Sequence, residues 1–160
     1  MSKRAPKASR PRIPGYPLPK HNKGLLSWRW ANQRLAKSHN YWITTTRSDG
    51  RPHTMVVWGL WLENTFYFST GRQSQKSRNL EANPACVLCN ENAAEAVIVE
   101  GIASELREPA QRRRFFRSYE GKYDFDMSAY ESEPIWGVRP VKVFGLSESL
   151  SLNRATRWVF

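Results

Sequence analysis

Phe66-Tyr67-Phe68-Ser69-Thr70-Gly71-Arg72-Gln73-Ser74-Gln75-Lys76-Ser77-Arg78-Asn79-Leu80 joins two kinds of local order. The aromatic, alternating run over Thr65–Thr70 reads as a strand. The polar, cationic segment from about Gln73 to Ala82 reads as a helix that stops at Asn83-Pro84, because the residue before a proline avoids helical geometry. Between them stand two hydroxyls, a glycine and the basic residues Arg72 and Lys76. A helix start offers unpaired N–H groups and the positive end of its dipole, and the side chains add charge. The stretch therefore reads as a clamp for the phosphate of a nucleotide-like cofactor.

Working outward, Tyr41-Trp42-Ile43-Thr44-Thr45-Thr46 is a strand by its aromatic and β-branched content, and Ser48-Asp49-Gly50 carries hairpin-turn chemistry. The next strand spans Pro52–Leu62, and Glu63-Asn64 turn it into Thr65–Thr70. That strand is apolar on both faces, with Met55, Val57 and Trp61 on one and Val56, Trp58, Leu60 and Leu62 on the other. A strand wetted on one side alternates with polar residues. Its outer face is therefore expected to be covered, by a helix or by a second copy of the chain, and an isologous dimer is the favoured arrangement. Upstream, Leu25, Trp28, Ala31 and Leu35 give Gly24 to about Asn40 a helical period, with Ser27 as its cap. Downstream, strands are expected at Ala85–Glu91 and Ala96–Leu106, and a helix from Pro109 to about Glu120. Gly121–Glu133 reads as irregular. A strand at Trp136–Leu146, bent or interrupted at Pro140, and a last strand at Arg154–Phe160 complete the chain. About six antiparallel strands with few helices suggest a mainly β, closed or nearly closed barrel.

The 160 residues fit one barrel domain over residues 24–160, preceded by an arm over residues 1–23. Lys3, Arg4, Lys7, Arg10, Arg12, Lys20 and Lys23 give that arm +7 of the net +11, and five of the ten prolines lie in it. Such a segment is expected to be extended or disordered, as a solubilising tail or a strap over the body. The body carries 18 basic against 14 acidic residues, and it offers no nucleic-acid recognition motif. With no membrane-length apolar run and no secretory apolar segment, a cytoplasmic protein is expected.

Cys86 and Cys89 are spaced as C-x-x-C but lie on a strand, where residues three apart face opposite ways. They read as two reduced core thiols, and no metal-binding set is expected. Among the histidines, His21 lies in the arm and His39 at a helix end. His53 begins the two-faced strand, where it can touch a ligand or sit satisfied in the sheet. No Ser-His-Asp or paired-carboxylate arrangement stands out, so no catalytic residue is assigned. Arg112-Arg113-Arg114 reads as a solvated helical face, and Glu100 as one half of an ion pair whose partner the sequence does not name.

The order of these pieces, from Tyr41–Thr46 through Asp49-Gly50-Arg51-Pro52-His53, Val57-Trp58-Gly59-Leu60-Trp61 and Phe66–Leu80 to Val97-Ile98-Val99-Glu100-Gly101, resembles the pyridoxamine 5′-phosphate oxidase-like, FMN-binding split β-barrel family. The similarity covers about Trp28 to Phe160. It implies a six-stranded antiparallel split β-barrel and a homodimer with a flavin-type cofactor at each end of the interface. Carried over by position, Ser69, Thr70, Ser74, Gln75 and Lys76 would hold the phosphate. His53, Thr54, Met55, Val56, Val57 and Trp58 would line the isoalloxazine ring. The oxidases that make pyridoxal phosphate usually have arginine at His53, a lysine near Trp58 and a C-terminal Arg-x-His motif, and this chain has none of them. It is more similar to the short branches that use FMN or the deazaflavin coenzyme F420, whose polyglutamate tail a basic arm could grip. The resemblance thus implies hydride transfer to or from a small organic substrate. The alternative is a non-catalytic flavin- or haem-binding protein, and nucleic-acid binding by the arm is a weaker third.

Overall fold

The computed structural model describes residues 5–160, so Lys3 and Arg4 of the basic arm lie outside the described residues. In chain order the elements are β1 (Lys7–Ser9), α1 (Trp28–Lys37), β2 (Tyr41–Thr46), β3 (Pro52–Val57), β4 (Leu60–Leu62), β5 (Thr65–Ser69) and α2 (Gln75–Ala82). Then follow β6 (Ala85–Asn90), β7 (Glu95–Glu105), α3 (Pro109–Tyr123), β8 (Ile135–Ser147) and β9 (Thr156–Val159). Short 3-10 turns lie at Ser128–Tyr130 and Leu152–Arg154.

All the strands join one antiparallel sheet of order β1-β9-β8-β7-β6-β2-β3, with β5 also pairing to β8 and β4 pairing to β5. The long strand β8 makes this branching possible. Its first residues, Ile135–Val138, pair with β5, and Lys142–Gly145 pair with β9, while β7 runs along its other edge. The sheet curls on itself but does not close by hydrogen bonds. β3 pairs only with β2 and β4 only with β5, and the chain bridges the gap at Trp58-Gly59. This is a split barrel.

The sheet has nine strands, more than the six of the expected barrel and two more than the seven strand segments read from the sequence, for two physical reasons. The arm contributes β1, whose Lys7, Ala8 and Ser9 pair with Val159, Trp158 and Arg157. The expected single strand Pro52–Leu62 is two strands with a corner at Trp58-Gly59. Gly59 is needed there because a Cβ would fall 2.3 Å from the Phe66 ring and 2.6 Å from the Tyr67 carbonyl oxygen. Pro140 does not interrupt β8, and the expected bend there takes the form of a bulge. Glu100 faces Lys142 and Gly101 faces Pro140, so a β-bulge at Val141 absorbs the irregularity. The last strand is shorter than expected, starting at Thr156. The late helix runs three residues beyond Glu120 to Tyr123, and Asp124 ends it in left-handed geometry at φ 49°.

The core lies inside the barrel, where Tyr41, Ile43, Phe66, Phe68, Leu88, Val97, Val99 and Val138 are fully buried. Helix α1, capped as expected by Ser27, packs Ala31 and Leu35 against β4 and β7. A second cluster, Leu60, Phe115, Tyr119, Tyr123, Met127 and Ile135, seats α3 on the outside of the barrel. Phe115, Tyr119 and Tyr123 recur every fourth residue, which places them on one helix face. Arg112 is not simply solvated. It donates to the carbonyls of Leu106, Glu131 and Glu133, tying α3 to the loop that follows it. Arg114 pairs with Glu63 at 2.8 Å. Glu100 finds its partner in Lys142, 3.0 Å away on the neighbouring strand. Cys86 is buried and Cys89 half-buried, and both are free. Burial pushes both thiols up, Cys86 to about 12. No helix among the described residues is long and apolar enough to cross a membrane.

Candidate functional site

The β5–α2 junction is built as a helix cap. Ser74 has extended backbone angles, and its Oγ accepts from the Ser77 N–H at 3.2 Å. Thr70 Oγ1 donates to the same oxygen at 3.2 Å, and Ser69 Oγ donates to the Pro134 carbonyl at 3.1 Å. Gln75 donates to Asn79 Oδ1 at 2.7 Å, and Asn79 in turn reaches Thr45 Oγ1 at 2.9 Å, which pins α2 to β2. The hydroxyl protons of Ser69 and Thr70 are thus used inside the loop. The donors left over are the N–H groups of Gln75 and Lys76 at the helix start and the Lys76 ammonium, none of which has a partner among the described residues.

Charge converges on the same corner. The β2–β3 hairpin register sets His53 opposite Thr45, and Arg47 lies in the adjoining turn. Partial burial pushes the Lys76 ammonium down. His53 is also held below the usual imidazole range, first by desolvation and then by the positive charges of Arg47 and Lys76. Its Nδ1 is shielded from solvent without a hydrogen-bond partner. An unpaired polar atom costs free energy and invites an acceptor or donor from a ligand. The corner is an unneutralised positive site beside open helix N–H groups, which suits a phosphate.

Arg72 pairs with Glu105 at 3.3 Å, and its N–H donates to Glu133 at 2.6 Å. Arg47 and Lys76 are the two positive charges that act on His53. The sequence carried no direct sign of this, since only the strand register brings the hairpin turn to α2.

The rest of β3 runs away from the clamp. Thr54 shares a hydrogen bond with Thr44 at 2.8 Å, and Val57 enters the core. Met55 and Val56 point to opposite faces yet are both exposed, at 45% and 43%. α1 packs on β4 and β7, so it does not cover β3. At the far end Trp58 stacks on Tyr123 with ring centroids 4.8 Å apart and planes within 2°. From His53 to Trp58 the strand spans roughly 17 Å at about 3.3 Å per residue. The eleven positions expected to form the site thus divide into the corner of Ser69, Thr70, Ser74, Gln75, Lys76 and His53 and an exposed strip at Met55, Val56 and Trp58, with Thr54 bonded to its neighbouring strand and Val57 in the core. Cavities of about 450 and 750 Å³ lie elsewhere, the first under α3 beside Tyr67 and Leu106, the second between β9 and the arm.

Two further residues at this strip, Lys122 and Tyr123, were not legible as site residues. The expected helix stopped short of them, and their contacts depend on the angle at which α3 docks.

Comparison with known proteins follows the same outline. The sequence model of the family described as pyridoxamine 5′-phosphate oxidase matches residues 31–146. No curated protein matches. Among solved structures, an F420 reductase is 24% identical over 70% of this chain and 94% of its own, with a TM-score of 0.60. A conserved hypothetical protein from Mycobacterium tuberculosis is 18% identical over 82% of this chain and 92% of its own, with a TM-score of 0.73. A FAD-binding protein from Mesorhizobium loti is 16% identical over 84% of this chain and 96% of its own, with a TM-score of 0.62. At these identities the structures show a shared fold, and the family match extends across the clamp, the corner and most of the barrel. The chain belongs to the pyridoxamine 5′-phosphate oxidase family.

Proposed function

We propose that this protein is a flavin-dependent oxidoreductase, with FMN as the expected cofactor and the deazaflavin coenzyme F420 as the alternative. It would move hydride between that cofactor and a small organic substrate. The observation that carries the reading is the convergence of Arg47, His53 and Lys76 on the open N-terminus of α2, at one end of an exposed apolar strand. The similarity to an F420 reductase and to a FAD-binding protein supports it.

The residues present fit such a group. Lys76 and the N–H groups of Gln75 and Lys76 would hold the phosphate, and His53 Nδ1 would gain the partner it lacks. Met55, Val56 and Trp58 would flank the ring. When bound, the ring supplies the hydride chemistry itself. The chain's share is to orient that ring and shield its reactive side from water.

We also read the protein as a homodimer. The exposed faces of Met55 and Val56 and the open position of the clamp both suit a second copy that forms the other wall of the site. On the outer face Trp42 neighbours Val56 and Cys89, Cys89 neighbours Ile98, and Ile98 neighbours Phe144, which extends the apolar strip across the sheet.

The test begins with the absorption spectrum and mass of whatever the freshly purified protein releases, followed by FMN titration. A flavin band that bleaches with reductant and recovers with substrate is expected. A Soret band would replace the flavin with haem. Lys76→Ala is expected to lose roughly 1.5–3 kcal/mol of FMN affinity, the value of one charge-assisted contact. Unchanged affinity would remove Lys76 from the site.

A further inference from the structure

At Trp58-Gly59 the chain has left the β2 ladder and not yet entered the β5 ladder, so the backbone groups of Gly59 have no strand neighbour. The C-terminal end of α3 supplies the partners. The Gly59 N–H donates to the Tyr123 hydroxyl at 2.9 Å, and the Gly59 carbonyl accepts from Lys122 Nζ at 2.9 Å. The Tyr123 hydroxyl has one proton of its own, shared between the carbonyls of Gly59 and His39, each 2.8 Å away. Lys122 Nζ also donates to Tyr41 Oη at 3.0 Å and lies 4.8 and 5.0 Å from the centres of the Tyr41 and Tyr123 rings.

The same end of α3 and the loop between α1 and β2 together fix Trp58. One indole face lies flat on Tyr123, the ring meets His39 edge-on at 5.5 Å and Phe125 at 6.1 Å, and Nε1 donates to Asn40 Oδ1 at 3.0 Å. A partly exposed tryptophan needs none of these restraints for burial, yet this one keeps 37% of its surface open while its plane and rotation are set. We propose that Lys122 and Tyr123 are positioning residues that hold the Trp58 indole as a fixed wall for the ring of the bound cofactor, an assignment that rests on the flavin reading above. Tyr123 sets the plane by stacking, and the bonds to Gly59 set the height of the corner from which Trp58 projects.

The experiment uses full-length protein labelled with 5-fluorotryptophan, with the Trp58 fluorine signal assigned through Trp58→Phe, and FMN as the probe. In Tyr123→Phe the Trp58 signal should move or broaden while the other tryptophan signals hold. FMN should bind about tenfold more weakly, the equivalent of about 1.4 kcal/mol. The visible circular dichroism of bound FMN should shift toward that of Trp58→Phe. Lys122→Met should change all three readouts in the same direction, and it decides the matter alone if Tyr123→Phe does not fold. A Trp58 signal and a bound-flavin spectrum that match wild type in both variants overturn the proposal. If wild-type protein binds no FMN, the flavin reading fails, and the Trp58 signal without ligand decides whether α3 positions Trp58. A changed signal upholds positioning by α3, and an unchanged one removes it.

Discussion

Lys122 shows how a single residue's surroundings become a measurable property. Desolvation between α3 and the β3–β4 corner pushes its ammonium down from 10.5 to about 8, with Glu91 opposing the change. The folded chain therefore holds fewer protons here than the unfolded chain between about pH 8 and 10.5. Stability from this group rises with pH across that window. The neighbouring phenols act in the opposite sense, since burial raises Tyr41, Tyr119 and Tyr123, and their contribution is lost as pH climbs above 10. The clean interval is pH 8 to 10. Urea unfolding at its two ends should show wild type gaining on Lys122→Met by of order 1 kcal/mol, because solvent screens the partly exposed ammonium. A difference that stays flat would mean that water reaches the lysine in the folded state.

At the scale of elements, the strap formed by β1 is held by more than its three strand pairs. Arg10 is buried, and its guanidinium donates to the carbonyls of Asn153, Ala155, His21 and Lys23, at 3.2 Å for Ala155 and 2.8 Å for Lys23. One side chain thereby gathers the arm, the entry to α1 and the turn before β9. Arg10→Ala leaves those carbonyls without their donor. It should cost about 2–3 kcal/mol in chemical denaturation, with amide exchange accelerating first in β1 and β9. If exchange there matches wild type, the arm is held by its strand pairing and not by Arg10. The positive charge of the arm thus has a structural use at Arg10, which composition could not separate from a role in binding.

For the whole molecule, the decisive quantity is the state of association. Trp42 and Val56 stand opposite each other on β2 and β3, exposed by 47% and 43%. A charge at the centre of an isologous interface is duplicated by symmetry, so it is felt twice. Val56→Glu should sediment as a monomer while keeping its fold by circular dichroism, and it should lose FMN affinity together with the dimer. Wild type that sediments as a monomer would overturn the dimer reading and require one chain to form the complete site.

The sequence by itself determined seven of the strand segments, the cationic helix that follows Thr70-Gly71 and the family to which the chain belongs. These depend on short-range chemistry: the aromatic and β-branched run Tyr41–Thr46, the Asp49-Gly50 turn, and Ser74 preceding a cationic helix. The same locality explains what it missed. The two-faced apolar pattern of Pro52–Leu62 is equally that of one long strand or of two strands around a corner. Only the close packing of Gly59 under Phe66 distinguishes them. Residue type alone does not tell which of Arg72 and Arg47 lies near His53. Glu105 claims the first, and the hairpin register delivers the second to His53. Lys122 and Tyr123 lie beyond a helix end that local propensity placed too early, and their meeting with Trp58 depends on how α3 docks on the barrel. Tertiary structure alone decided these matters, because each joins segments far apart in the chain, and no local preference encodes the distance between them.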